Sequence, residues 1–416
     1  MEHPEERYYK LNRFFLSVNG LSPYQNVWNA RLIRLVITVI LLSSIFVQAS
    51  TTLTSEVNLE FIIDIIPAIL PTFAGIINLY LHHGNIDKYR KLFDHMWRDW
   101  ALQKTKDEIK IMHDYAETTR LVTLFYTLQV CILFVMYNVW VFMPEILDVI
   151  SPLNESRPRI ETFKVEFFID KGRYIYLIQS HICLVLVTVT IVLLGSFSIL
   201  LTFTQHVCGM CKLLGYRAER LFCVIENAAG CDLIRGTKIR CRDTAVFVRL
   251  HCNIIQFISL IKACHRVSFL CDLIGILFAL SLTLIQVYNN SMLSIPMCLC
   301  NQYIKMSSLF QILSIAGNIE KAIKSISFSI IILIYSFISN YMGQRITDMS
   351  SNICEKVYNC AWYNVAVSEQ KSVLLIISRR FHPLVLTANK FYTMSLQNFG
   401  MILQTVISYC MFFRQI

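Results

Sequence analysis

Apolar runs nearly free of charge alternate along this chain with segments that carry most of its charge. Seven are long enough to matter: Leu35–Leu53, Phe61–Leu81, Leu121–Met143, Tyr174–Gln205, Ser268–Tyr288, Ser325–Tyr341 and Phe391–Phe413. About 20 apolar residues cross a bilayer core as a helix, so the pattern predicts an all-α membrane protein with seven spanning helices. The second run holds Pro67 and Pro71, which membrane helices tolerate when neighbours satisfy the freed carbonyls. The fourth is longer than a bilayer requires, so its end is expected to project beyond the membrane. The fifth carries Asp272 near its start. Between Asn289 and Lys324 the apolar stretches are interrupted by Lys305 and Glu320, which reads as an outer loop with an interfacial helix.

The last run is not uniformly apolar. Gln397, Met401, Gln404, Ser408, Phe412 and Gln415 recur every three or four residues, one face of a helix. Unpaired amides in lipid are costly, so such a stripe must meet protein or water. On the residues alone it serves either as hydrogen-bonding between helices or as the wall of a conduction path.

Charge orients the spans. With the N-terminus inside, 29 of the 38 Lys and Arg residues fall in the inner segments 1–34, 82–120, 206–267 and 342–390. The bias predicts a cytoplasmic N-terminus and an extracellular C-terminus. The sequon Asn154-Glu155-Ser156 then lies outside, where a glycan on Asn154 is possible, and Asn289-Asn290-Ser291 lies outside beside a span. The polar first 34 residues lack a hydrophobic signal core, so insertion is expected to start from the first span.

Composition agrees with the membrane reading: 55% of residues are hydrophobic and 16% charged, against about 25% charged in soluble domains. The net charge of +10 is explained by the inner segments and inner-leaflet lipids, and no aromatic-basic module points to nucleic acid. No phosphate-binding loop, HExxH or GxSxG motif, arginine ladder or TVGYG filter is present, and no catalytic constellation is recognisable. Cys208 and Cys211 form a CxxC without the second pair that a structural zinc site needs. No cofactor is expected.

The C-terminal sixth resembles insect odorant receptors. The matching elements are Tyr358-Asn-Cys-Ala-Trp362-Tyr363, Lys371-Ser-Val-Leu-Leu-Ile-Ile-Ser-Arg-Arg380, Pro383-Leu-Val-Leu-Thr-Ala388, Lys390-Phe-Tyr-Thr-Met-Ser-Leu-Gln-Asn-Phe399 and Ser408-Tyr409. Ser151-Pro-Leu-Asn-Glu-Ser-Arg-Pro158 and Gln205-His-Val-Cys-Gly-Met210 add to them, and the whole looks most like the receptors of ants and other Hymenoptera. Gustatory relatives typically carry Thr-Tyr and Gln-Phe where this chain has Phe391-Tyr392 and Gln397-Asn398-Phe399.

The resemblance implies an odorant-gated, non-selective cation channel of the plasma membrane in olfactory neurons. It implies a tetramer with the odorant co-receptor Orco, taking a small volatile apolar ligand and passing cations. By the same resemblance, residues 1–34 are a cytoplasmic N-terminus and 35–343 hold helices one to six with the ligand site in their outer half. Residues 344–390 form a cytoplasmic assembly segment and 391–416 the pore-lining helix. Phe412 and Ile416 take the place of the hydrophobic gate, with Gln404, Ser408 and Gln415 in the wet wall. The ligand candidates are Ile69 and Phe73, Met136 and Trp140, Ile178, His181 and Val185, and Phe328 and Ile332; His181 stands out as a polar group in an apolar wall. A gustatory-type channel working without Orco and a non-channel membrane carrier are the alternatives.

Overall fold

The computed structural model describes residues 7–54, 59–102, 104–151, 157, 166–167, 171–223, 233–300, 308–364, 366–389 and 391–415. At 59–60, 62–64, 66–68, 171, 221–223, 233–243, 287–300, 308–324 and 413–415 the description covers the backbone alone. Eleven α-helices occupy most of these residues. They are α1 Lys10–Val18, α2 Val27–Thr54, α3 Leu59–Gly84, α4 Ile86–Ala101, α5 Lys106–Val141 and α6 Met143–Ile150, followed by α7 Lys171–Cys223, α8 Leu233–Cys300, α9 Ser308–Tyr358, α10 Val367–Ser378 and α11 Leu396–Gln415.

All seven apolar runs lie mainly on helices, the last of them from Leu396 onward. Five stretches among the described residues are long and apolar enough to cross a membrane: Val27–Thr54, Lys106–Val141, Gly172–Arg220, Thr244–Gln286 and Ser325–Tyr358. The second and seventh runs fall on α3 and α11. Where an outer loop with an interfacial helix is expected over 289–324, the described residues are helix ends: α8 continues to Cys300 and α9 begins at Ser308. The sequence signal failed there because two helix ends with scattered charge look like a polar loop.

The described residues between the runs are mostly helical too, and they hold most of the core. The 68 residues of α8 extend about 100 Å at 1.5 Å per residue, far beyond the roughly 30 Å of a bilayer core. In the projecting half, Leu92 and Met96 of α4, Met112 of α5, Phe203 and Leu214 of α7, Phe257 and Ile261 of α8, Ile353 and Val357 of α9 and Val373 of α10 form one buried cluster. By contrast, the apolar stretch of α5 leaves Leu121, Phe125, Leu128, Ile132 and Val135 exposed, as a lipid-facing surface would.

Charged groups tie the same half together. Thr105 and Glu108 make a capping box that starts α5. Glu108 then accepts two bonds from Arg217 of α7, at 2.6 and 3.1 Å. Lys356 of α9 lies 2.7 Å from Glu219 of α7. His206 of α7 lies 3.0 Å from Asp99 of α4, with both residues buried. The first helix docks on α7 through buried amides: Asn12 donates to the Thr202 hydroxyl at 2.6 Å and Asn19 to the Ile191 carbonyl at 2.9 Å.

Approaching α11, the chain forms a short antiparallel hairpin, Thr387–Ala388 with Tyr392–Thr393. The last helix therefore starts at Leu396, five residues after the apolar run begins. Ser395 marks the boundary: its hydroxyl accepts from the Asn398 amide at 3.2 Å, an N-cap bond.

Candidate functional site

Near the N-terminal end of α7, Ile178 and Val185 are buried and His181 is half-buried between them. His181 is not a lone polar group. Its Nε2 lies 2.9 Å from the Ser43 hydroxyl of α2, and the Phe167 ring stands perpendicular to it at 5.4 Å. Ser43 donates to the Ile40 carbonyl at 2.7 Å, so its oxygen accepts from His181 Nε2–H. That assignment leaves Nδ1 as the free acceptor of the neutral ring. Two residues on, the Cys183 thiol donates to Asn138 of α5 at 3.0 Å, and buried Gln179 lies one turn before it. Ser43, Asn138 and Gln179 escaped the sequence reading because single polar residues inside spans gave no indication of a shared partner.

The remaining candidates are dispersed. Ile69, Trp140 and Phe328 are half-buried, while Phe73 is 45% and Met136 62% exposed. Ile332 packs among the residues of α8 that contact Ile402 and Val406 of α11, so it lies on the route to the last helix. Asn154 is outside the described residues. A cleft between α1, α4 and α7, lined by Asn12, Trp97 and Thr202, holds only about 20 Å³, room for a single water.

Asp272 sits within the apolar stretch of α8 and joins three helices. Its carboxylate accepts from Asn78 of α3 at 3.0 Å and from the Tyr335 hydroxyl of α9 at 2.8 Å. Asn78 in turn accepts from Ser268 of α8 at 2.6 Å. Two further bonds run between α8 and α9, Ser329 to Thr283 and Ser325 to Gln286, each 2.8 Å.

On α11, Ile402 and Val406 are buried against α8. Gln397, Met401, Gln404, Ser408 and Phe412 are all exposed. At about 100° per residue, the three polar members Gln397, Gln404 and Ser408 centre about 160° from the packed face. Ser408 bonds its own helix, donating to the Gln404 carbonyl at 2.9 Å. The stripe therefore faces away from the rest of the chain. Of the other positions expected in the pore, Ile416 and the side chain of Gln415 lie outside the described residues.

Comparison with known proteins follows the same architecture. The model of the 7tm Odorant receptor family matches residues 58–307 and 299–407. Odorant receptor Or2 of Anopheles gambiae is 28% identical over 124 residues, 30% of this chain and 31% of that protein. Odorant receptor 46a, isoform B, of Drosophila melanogaster is 29% identical over 115 residues, 27% of this chain and 30% of that protein. These alignments span about a third of each relative. The olfactory receptor OR5 of Machilis hrabei in complex with eugenol superposes with a TM-score of 0.74 at 12% identity, covering 99% of this chain and 98% of that one. A second structure of the same receptor gives 0.71 at 12% identity, covering 98% and 97%. The likeness in structure speaks for the fold, and the family match spans most of the chain. None of these matches bears on the hymenopteran detail of the resemblance. The family is one of receptors, not enzymes, and this chain belongs to it: it is a member of the 7tm odorant receptor family.

Proposed function

We propose that the chain is the odorant-binding subunit of an odorant-gated, non-selective cation channel in the plasma membrane of olfactory neurons. It works as part of a tetramer with the co-receptor Orco, its N-terminus in the cytoplasm and its C-terminus outside. The observation that carries the reading is the stripe Gln397, Gln404 and Ser408, set opposite the packed face of α11. A polar face turned away from its own subunit, on an apolar helix, needs water or a neighbouring subunit. Four such helices around an axis supply both. Amides and hydroxyls without charged rings pass cations with little discrimination, and Phe412 with Ile416 closes the outer end as an apolar constriction.

The ligand site lies in the outer half of the bundle, around Ile178, His181 and Val185, with Ile69, Phe73, Met136, Trp140, Phe328 and Ile332 as further wall. His181 Nδ1 offers an acceptor to a ligand hydroxyl within apolar surroundings, the pattern of a small-molecule site. In the assembly segment 344–390, Val373 and Ile376 are buried in the chain's own core while Leu374, Leu375 and Phe381 point outward. That outward apolar surface suits contact with another subunit.

The test is co-expression with the co-receptor and a panel of aliphatic and phenolic volatiles, eugenol included, read as calcium influx and whole-cell current. Odorant-evoked cation current that requires both chains is expected. Current from this chain alone would favour the gustatory-type reading. Transport of ligand without ionic current would favour a carrier.

A further inference from the structure

The half-buried carboxylate of Asp272 has no part in either the ligand wall or the pore stripe, yet it bonds two other helices. An ionisable group inside a span is costly and is kept where it has a task. Each of its oxygens accepts one bond, from Asn78 at 3.0 Å and from Tyr335 at 2.8 Å. Asn78 is itself held by Ser268 at 2.6 Å, from one turn before Asp272 on the same helix. Asn78 and Ser268 are almost wholly buried. The junction therefore fixes α3 and α9 against α8 at one level, while Thr283–Ser329 and Gln286–Ser325 fix α9 against α8 further along.

The next residues of α8 face the last helix. Leu273, Ile276, Leu277, Leu280 and Leu284 share a cluster with Ile402 and Val406 of α11, and Ile332 of α9 joins it. One helix thus carries both the polar junction and the surface on which the last helix rests. The helices tied to it, α3 and α9, carry the ligand candidates Ile69, Phe73, Phe328 and Ile332. A shift of α3 or α9 is passed to α8 through Asp272 and so to the seat of α11. We propose that Asp272, with Asn78 and Tyr335, is a positioning junction that couples occupancy of the ligand site to the last helix. This inference rests on the channel reading above.

The test uses the full chain with the co-receptor and the strongest activator from the volatile panel. Asp272→Leu, Tyr335→Phe and the double variant are compared for half-maximal odorant concentration, maximal current, ion preference and thermal stability of the purified complex. Each single variant is expected to raise the half-maximal concentration about tenfold, with ion preference unchanged. The double variant is expected to match the singles, since both remove the same link. Asp272→Glu, which keeps an acceptor for Tyr335, is expected to recover part of the response. Unshifted half-maximal concentrations with lowered thermal stability would overturn the junction and leave Asp272 a structural group. Additive shifts in the double variant would overturn it as well. If the unmodified chain carries no odorant-evoked current with the co-receptor, the channel reading fails first, and the coupling role falls with it.

Discussion

Gly343 of α9 lies so close to Met394 that a Cβ on the glycine would collide with the Met394 carbonyl oxygen. Met394 belongs to the turn that leads into the last helix, and its amide is held by the Leu386 carbonyl at 2.9 Å. Close approach of two backbones thus sets where α11 begins. In a helix interior alanine is preferred to glycine by about 1 kcal/mol, so the sign of a substitution here comes from the contact. Gly343→Ala is expected to destabilise the protein by about 1–3 kcal/mol through overpacking, read as a lower unfolding temperature and loss of current. A variant as stable and active as the parent would show that the turn can move.

The pair His206–Asp99 pins α7 to α4 inside the core. Removing one partner of a buried pair leaves the other uncompensated, at a cost of about 3–5 kcal/mol. Asp99→Ala and His206→Ala are each expected to show that loss in denaturant unfolding, with the double variant less destabilised than their sum.

Lys104 follows the end of α4 and donates to the carbonyls of Asp99, Trp100 and Leu102, the last two at 3.1 and 3.2 Å. Burial pushes its ammonium down from the ordinary 10.5 to about 8. Between those values the unfolded chain holds more protons than the folded one, so this group makes stability rise with pH across that window. Lys104→Met is expected to flatten that part of the pH profile of thermal unfolding. An unchanged slope would place its origin elsewhere.

Leu375 is 71% and Phe381 82% exposed on the assembly segment. Leu375→Asp is expected to leave the unfolding free energy of the single chain within about 0.5 kcal/mol of the parent, as surface changes do. Co-purification with the co-receptor should drop sharply. Retained assembly would assign that surface to something other than a subunit contact.

The apolar runs were legible because a bilayer demands long stretches nearly free of charge, and each run lies mainly on a helix. The polar spacing of Gln397, Gln404 and Ser408 was legible too, but its direction was not, since only packing places Ile402 and Val406 opposite it. The helices between the runs were hidden for the opposite reason. Segments such as 82–120 are rich in charge, and that charge masked the buried positions Leu92, Met96 and Met112. Asp272 was visible as a charge in a span. Its partners were not, because Asn78 and Tyr335 lie 194 and 63 residues away, and no local pattern joins them. His181 likewise looked solitary until α2 brought Ser43 to it.

The central claim is that the stripe on α11 faces a water-filled path. Cysteine placed singly at Gln404, Ser408, Ile402 and Val406, co-expressed with the co-receptor and exposed to a charged, membrane-impermeant thiol reagent during odorant application, tests it most directly. The unsubstituted chain serves as the control for Cys131, Cys252 and Cys410. Rapid loss of current is expected at Gln404→Cys and Ser408→Cys and none at Ile402→Cys and Val406→Cys. Protection of the first two, or block at the buried pair, would contradict the account.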